Sequence, residues 1–452
     1  MKVSKILANV LPRVGYLLVL ASAAVLLLPG AGAADVSSGM KIDWSFPEGP
    51  TRTHSDLAMW GDIVVAGNYD GFRVFDISRT GSERLRANFL CRGPQNDSSL
   101  WEHNGRLLLF QSVDTPQVNG TTVCSQNRNS DTTACGPSCF EGIRIFDLTD
   151  PTTPVYIKGV YTDCGSHTHT LVPDPANNRL LIYVSSYPGS SGPNCASPFR
   201  KFSIVQVPLD APETASVLSQ PALIGGVPGC HDMTAFLAIH KMAAMCATEG
   251  QLWDITNPAN PDTAHPLEID DPGVNYWHSA EFTWDGQYVV TNDESFTGTC
   301  QPNNDGKIRI WRVSDGLLMS SFMIPRPQGG VYCSVHNGNI IPVDGRYILV
   351  AAWYGGGTSV VDFTDPVNPH EIAYYVGTTG RGRADTWSSY WYNGKIYAND
   401  ITRGLDVFDL VLPSANYGET WTHLNPQTQE NLYPPRLSPM SSLGRLALGA
   451  RG

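Results

Sequence analysis

Histidines recur at one position of a repeated pattern in this chain. The stretch Tyr276–Glu294 reads YWHSAEFTWDGQYVVTNDE: an alternating strand, an Asp-Gly turn and a second apolar strand, with His278 where the first strand begins. Other histidines stand at or near the start of comparable hairpins, namely His54, His167, His169, His231 and His336. Neutral imidazole suits Fe, Cu or Zn, so histidines that converge would form a site for one transition metal ion.

Two interpretations of these histidines remain open at this stage. A polar residue at a fixed repeat position also serves packing, by bonding the backbone or a neighbouring repeat. The metal interpretation requires three or more imidazole nitrogens within about 5 Å of a common point, so that bonds of about 2.0–2.2 Å are feasible after small adjustments. His167 and His169 favour it, because positions i and i+2 share one face of a strand. Acidic residues close to the histidines are candidate second-layer acceptors: Asp56, Asp232 and Glu281.

A recurring strand indicates which elements position the histidines. It appears as FRVFDIS, IRIFDLT, FSIVQVP, QLWDITN, IRIWRVS, SVVDFTD and LDVFDLV, at intervals of 47 to 71 residues. A four-stranded propeller blade needs about 40–50 residues, and a longer interval needs only a loop insertion. The chain also has 43 Gly and 33 Pro, which favours many turns. These features predict an all-β fold, a seven-bladed β-propeller of four-stranded blades.

The first strand supplies a way to close the propeller. KIDWSFP resembles the outermost strand of a blade but has no blade before it, and no comparable strand follows LDVFDLV. We therefore expect this N-terminal strand to complete the seventh blade, which would remove the exposed edges of an open sheet. The predicted propeller spans residues 41–412, and the polar, Pro-rich residues 413–452 are predicted to form a weakly ordered tail.

The predicted topology places the histidines, the long insertions and nearly all the cysteines on one loop-rich face. Loops on a rigid scaffold are common binding sites. The ten cysteines of an exported chain predict disulfides. Hairpin geometry pairs Cys230 with Cys246, and similar reasoning pairs Cys164 with Cys195. Cys300 and Cys333 come from neighbouring blades, whereas Cys91, Cys124, Cys135 and Cys139 pair among themselves in an unassigned order. Metal binding by Cys135 and Cys139 is the alternative for those two.

The N-terminus predicts export. Residues 1–33 combine three basic residues, an apolar run and AGA before Ala34, as in a cleaved signal peptide; a retained anchor is the alternative. Without residues 1–33, the chain has 27 Lys and Arg and 42 Asp and Glu, which gives a net charge of −15. This balance and the lack of a basic patch argue against a nucleic-acid partner. No later segment is predicted to span a membrane, and we expect a monomer.

The signature strands also resemble a known family. FRVFDIS and SVVDFTD are similar to the strand that names the LVIVD-repeat bacterial propellers, over roughly residues 41–410. The resemblance implies a β-propeller in a secreted or cell-surface protein. It implies no catalytic residues, because structural strands define that family.

Two classes of function follow from the sequence. The first is a non-catalytic extracytoplasmic propeller that binds a protein or glycan through its disulfide-stapled loop face. The second is a metal-dependent oxidoreductase with a histidine cluster at the channel mouth. Metal content distinguishes them.

Overall fold

The computed structural model describes residues 35–432, except 49–52, 119–123, 125–138, 187–194, 296–305, 326–333, 344, 380–381, 384 and 412–419. Within these ranges the fold is all-β, as predicted, with short 3-10 helices at Pro175–Asn177, Pro212–Thr214 and Leu237–Ile239. The predicted signal peptide, residues 1–33, lies outside them. No helix in the described part is long and apolar enough to cross a bilayer.

The strands are numbered here in chain order. They are β1 (Val36–Ser38), β2 (Met40–Pro47), β3 (His54–Trp60), β4 (Ile63–Asn68), β5 (Gly71–Asp76), β6 (Arg84–Leu90), β7 (Gln95–His103), β8 (Arg106–Val118), β9 (Cys139–Asp147), β10 (Val155–Tyr161), β11 (Thr168–Asp174), β12 (Arg179–Ser185), β13 (Ser203–Pro208), β14 (Ser216–Ser219), β15 (Asp232–Phe236), β16 (Lys241–Met245), β17 (Gly250–Asp254), β18 (Asp262–Ile269), β19 (Trp277–Phe282), β20 (Tyr288–Asp293), β21 (Ile308–Arg312), β22 (Leu317–Phe322), β23 (Ser334–Ile341), β24 (Ile348–Tyr354), β25 (Gly357–Asp362), β26 (His370–Val376), β27 (Thr378–Thr379), β28 (Gly382–Arg383), β29 (Thr386–Tyr392), β30 (Lys395–Asp400), β31 (Gly404–Leu410), β32 (His423–Leu424) and β33 (Thr428–Gln429).

Most of these strands belong to units of four antiparallel strands, in an arrangement consistent with a β-propeller. The first unit is β3–β6 and the second β7–β10; the third to sixth units follow as β11–β14, β15–β18, β19–β22 and β23–β26. The seventh unit joins β29, β30 and β31 to β2. Each signature strand is the third of its unit, as predicted from the hairpin that precedes it.

The core lies between neighbouring units. In β5, Phe72 and Val74 pack against Leu100 of the second unit, whereas Phe75 packs on the other side with Val407 of the seventh. Alternating side chains point to opposite faces of a strand, and both faces are buried here because each sheet has a neighbour on each side. This explains why signature strands such as FRVFDIS carry apolar residues on both faces.

The first strands of successive units lie side by side. Strands β3, β7, β11, β15, β19, β23 and β29 contact one another in that order, and β29 contacts β3. Between β23 and β29 there is also a parallel pairing of Asn337 with Ser388, which joins the last two units into one nine-stranded sheet. Residues at the beginning of these strands are therefore close in space although they are far apart in sequence.

The N-terminal strand pairs with the last signature strand. β2 runs antiparallel to β31, from Met40 opposite Leu410 to Pro47 opposite Gly404. Trp44 and Phe46 of this strand pack near Phe75 of the first unit. KIDWSFP thus forms the strand that the sequence predicted, beside LDVFDLV.

Three disulfides lie among the described residues. Cys164 is bonded to Cys195 and Cys230 to Cys246, the two pairs predicted from the sequence. Cys91 is bonded to Cys124, within the set predicted to pair internally. These bonds are compatible with an extracytoplasmic protein. The predictions for Cys135, Cys300 and Cys333, and for the side chain of Cys139, lie outside the described residues.

Residues 420–432 pack against the first strands, although they fall in the segment predicted to be weakly ordered. β32 pairs with β3, and β33 runs parallel to β15. The Asn425 side-chain amide exchanges two hydrogen bonds with the backbone of Leu100, and Gln429 does the same with Phe282. Because these amides satisfy main-chain groups of β7 and β19, the segment has a specific position that its polar composition did not reveal. The rest of the predicted tail lies outside the described residues.

Candidate metal centre

Four of the six predicted histidines form a row of buried rings. The ring centroids of His167 and His231 are 4.2 Å apart, those of His231 and His278 4.0 Å, and those of His278 and His336 4.1 Å. His167 and His231 directly precede β11 and β15, whereas His278 and His336 lie near the beginning of β19 and β23. The row thus crosses the third to sixth units, as expected of residues that begin adjacent first strands.

A carboxylate faces three of these rings. Glu294 directly follows β20, and its oxygens lie 3.7 Å from Nε2 of His231, 3.6 Å from Nε2 of His278 and 3.7 Å from Nε2 of His336. Three imidazole nitrogens therefore face one carboxyl group. Glu294 is only 7% exposed, so this arrangement is largely withdrawn from water.

The opposite nitrogen of each of these three imidazoles has a polar neighbour. His231 Nδ1 lies 3.3 Å from Asp232 Oδ1, His278 Nδ1 lies 2.9 Å from Ser279 Oγ, and His336 Nδ1 donates to the backbone oxygen of Trp387 at 2.5 Å. The backbone oxygen of Trp387 can only accept, so it holds the proton of His336 on Nδ1 and leaves the Nε2 lone pair towards Glu294. The Asp232 carboxylate and the Ser279 hydroxyl allow the same tautomer at His231 and His278. Metal-binding histidines typically have this outer hydrogen bond, which fixes the tautomer and the orientation of the ring.

The distances are compatible with ligands around one ion. One ligand atom from each of His231, His278 and Glu294 lies within 4.8 Å of the others. Ligands with bonds of 2.0–2.1 Å in tetrahedral geometry are about 3.4 Å apart, so small side-chain movements suffice. Two imidazoles and one carboxylate form a donor set that leaves further coordination positions open.

Burial keeps most of the row uncharged. It lowers the pKa of His231 to about 4 and that of His336 to about 3, and it holds the pKa of His278 well below its usual value. Burial opposes the charge on His167 as well, but the Asp114 carboxylate outweighs it and raises that pKa. For Glu294, burial raises the pKa to about 8. Three neutral imidazoles at pH 7 are in the form that metals require.

The other two predicted histidines have different surroundings. His169 Nδ1 lies 3.1 Å from Asp97 Oδ2 and 2.9 Å from Ser112 Oγ, both of the second unit. His54 Nδ1 lies 3.6 Å from Glu48 Oε2. The structure thus gives these two histidines acidic neighbours other than Glu294.

The predicted outer acceptors also separate into two groups. Asp232 contacts His231, the role expected of an outer acceptor. Asp56 instead accepts a hydrogen bond from Tyr390 at 2.5 Å, and Glu281 accepts one from Asn292 at 3.0 Å. Asp56 and Glu281 are buried side chains of first strands, at later positions than the histidines.

Sequence reasoning missed two acidic residues of the site, Glu294 and Asp114. Asp114 lies 3.3 Å from His167 Nδ1. The sequence signal for Glu294 was its position directly after Asp293 in TNDE. The second strand of that unit, β20, ends there, on the loop-rich face that also carries the histidines. The pattern alone does not show that this side chain turns inwards.

Aromatic rings cover the row of histidines. Tyr276 packs against His231, with centroids 5.4 Å apart, whereas Tyr354 and Trp387 pack against His336 at 4.7 and 4.9 Å. Tyr354 also hydrogen-bonds Glu294. These rings restrict water around the imidazoles, which strengthens the electrostatic interactions of a bound ion.

The chain matches no protein-family model, and no curated protein is significantly similar to it. The function must therefore be inferred from the geometry of the site itself.

Proposed function

We propose that this protein is an exported, metal-dependent oxidoreductase whose single transition-metal ion is bound by His231, His278 and Glu294. The observation that carries the proposal is the orientation of three imidazoles, with Nδ1 next to a polar neighbour and Nε2 directed at one buried carboxylate. His336 and His167 extend the same row: Nε2 of His336 lies 3.7 Å from the same carboxylate, and the ring of His167 lies 4.2 Å from that of His231.

A packing role explains this arrangement less well. His278 is completely buried, and its Nε2 has no hydrogen-bond partner among the described residues. A buried polar atom without a partner is costly, whereas a metal ion would use its lone pair. Repeat packing also does not require a carboxylate whose ionisation is opposed by burial.

The donor set fits a catalytic metal with open coordination positions. Two histidines and one carboxylate are typical of non-haem Fe(II) oxygenases, and additional imidazoles suit Cu. The same three ligands also bind catalytic Zn²⁺ in hydrolases, so zinc found in place of Fe or Cu would point to a hydrolase instead of the proposed oxidoreductase. When bound, Fe or Cu would supply electron transfer. The protein's residues would hold the ion, fix the imidazole tautomers and restrict water.

We further propose that the units are the blades of a closed, seven-bladed propeller completed by β2. The contact of β29 with β3 and the pairing of β2 with β31 support this closure. We also retain the inferences that residues 1–33 direct export and that the chain is related to LVIVD-repeat propellers.

Removing β2 should destabilise the protein. A mature chain that begins at Glu48 exposes the edge of β31, so we expect aggregation or a thermal midpoint lowered by several degrees. A chain that begins at Gly39 is the matched control: it also lacks β1 and Asp35, whose carboxylate accepts hydrogen bonds from Tyr375 and Thr378, so the two truncated chains differ only in residues 39–47, which contain β2. Equal melting and solubility of the two truncated chains, measured by scanning fluorimetry and light scattering, would contradict the proposed closure.

Metal analysis of the mature protein tests the proposed function. Protein purified without chelators should contain about one equivalent of Fe or Cu by elemental mass spectrometry. His265→Ala, which changes an exposed histidine, is the control and should keep that content. A protein that stays metal-free after incubation with each ion would refute the enzyme and favour a propeller that binds a protein or glycan.

A further inference from the structure

A second polar site lies beside the proposed metal centre. It is a small cavity bounded by the first strands of the fourth to seventh units and by the C-terminal segment, with room for about one water molecule or one monatomic ion. Its polar lining includes Asp232, Glu281, Asn337, Tyr390 and Gln427. These groups present oxygen atoms, in contrast to the imidazole nitrogens of the metal centre.

Two amide oxygens at this cavity have no hydrogen-bond donor among the described residues. They are Asn337 Oδ1 and Gln427 Oε1, on side chains that are 5% and 4% exposed. The orientation of Gln427 is set by its amino group, which donates to Asp56 Oδ2 at 3.2 Å and lies 3.5 Å from Asp97 Oδ1. A buried carbonyl oxygen without a donor is a costly feature that a cation would relieve.

Among the described residues Glu281 has no ion pair with a Lys, Arg or His, whereas Asp232 contacts His231. Glu281 is 4% exposed, and it accepts hydrogen bonds from the Asn292 amide, at 3.0 Å, and from the backbone N–H of Gly338. Asp232 acts on Glu281 as a second negative charge. Two buried carboxylates side by side are expensive unless they are protonated or share a cation.

We propose that this cavity binds one hard, oxygen-preferring cation, best fitted by Ca²⁺, through Asp232, Glu281 and the amide oxygens of Asn337 and Gln427. Ca²⁺ takes carboxylate and amide oxygens in flexible geometry, whereas Mg²⁺ keeps several waters for which this cavity has little room. The ligands come from three units and from the C-terminal segment. A bound ion would therefore fix residues 420–432 against the first strands.

Equilibrium dialysis of chelator-treated protein against radioactive Ca²⁺ up to about 1 mM tests this site. We expect one bound equivalent and an affinity at least tenfold weaker in Glu281→Gln. Glu268→Gln, the same change at an exposed residue of β18, should bind as the unaltered protein does. Glu281→Gln should also keep its transition-metal content, because Glu281 is not among the proposed ligands of that centre.

Two results would overturn the proposal: no bound Ca²⁺ in the unaltered protein, or equal binding by Glu281→Gln, which would indicate adventitious ions on surface carboxylates. If Glu281→Gln does not fold, Asn337→Ala decides, since it removes a neutral oxygen and should also weaken binding. If the unaltered protein binds Ca²⁺ but no transition metal, the proposed oxidoreductase is refuted and the Ca²⁺ site is not.

Discussion

Replacing His278 with alanine should weaken transition-metal binding by more than about 100-fold. Loss of an outer-layer partner typically costs 10–100-fold in metal affinity, and loss of a ligand should cost more. Asp232→Asn should weaken metal binding by only about 10–100-fold, because Asp232 contacts His231 but is not a proposed ligand of that ion. Competition with a chromophoric chelator would give all three affinities.

The substitution must be separated from a loss of fold. His278 is fully buried, so the metal-free variant should be compared with the metal-free parent by circular dichroism and thermal unfolding. A folded His278→Ala protein that binds the metal with parental affinity would contradict the assignment. His370→Ala, at an exposed position of β26, provides a further control for nonspecific loss.

Replacing Glu294 with glutamine should stabilise the metal-free protein at alkaline pH while weakening metal binding. Burial raises the pKa of Glu294 from its ordinary 4.5 to about 8, so the native state binds one more proton than the unfolded state between these values. The free energy of unfolding therefore falls as pH rises through this window, by about 1.4 kcal/mol per pH unit. Glutamine does not titrate and removes this contribution.

Urea unfolding in the presence of a chelator measures this effect. The difference in unfolding free energy between Glu294→Gln and the parent should grow in favour of the variant by roughly 3 kcal/mol from pH 5 to pH 8. Glu268→Gln, the same substitution at an exposed side chain of β18, is the control for the introduction of a glutamine. Parallel pH profiles for Glu294→Gln and the parent would show that this carboxyl is not held in the proposed environment.

The sequence was informative about the fold because the repeat carries its own physical signature. Strands such as FRVFDIS are apolar on both faces, and turn residues separate them, so the four-stranded units could be anticipated. The approach of His167, His231, His278 and His336 followed from the same repeat, because residues that begin adjacent first strands must be neighbours.

The parts of the site and of the fold that the sequence did not predict depend on side-chain direction and on specific amide contacts. Glu294 follows a second strand, and only the folded chain shows its carboxylate turned towards three imidazoles. The segment around Asn425 reads as polar and Pro-rich, yet its amides bind main-chain groups of the first strands. Such pairings leave no periodic signal in the sequence, because a single side-chain amide makes the hydrogen bonds that a neighbouring strand would otherwise make.

X-ray absorption spectroscopy of the metal-loaded protein tests the central claim most directly. For an ion bound by His231, His278 and Glu294, we predict nitrogen and oxygen neighbours at about 2.0–2.2 Å, together with the outer-shell scattering of at least two imidazole rings. The imidazole contribution should decrease in any residual complex of His231→Ala. A bound metal without imidazole scattering, or with a spectrum unchanged by His231→Ala, would contradict the proposed centre.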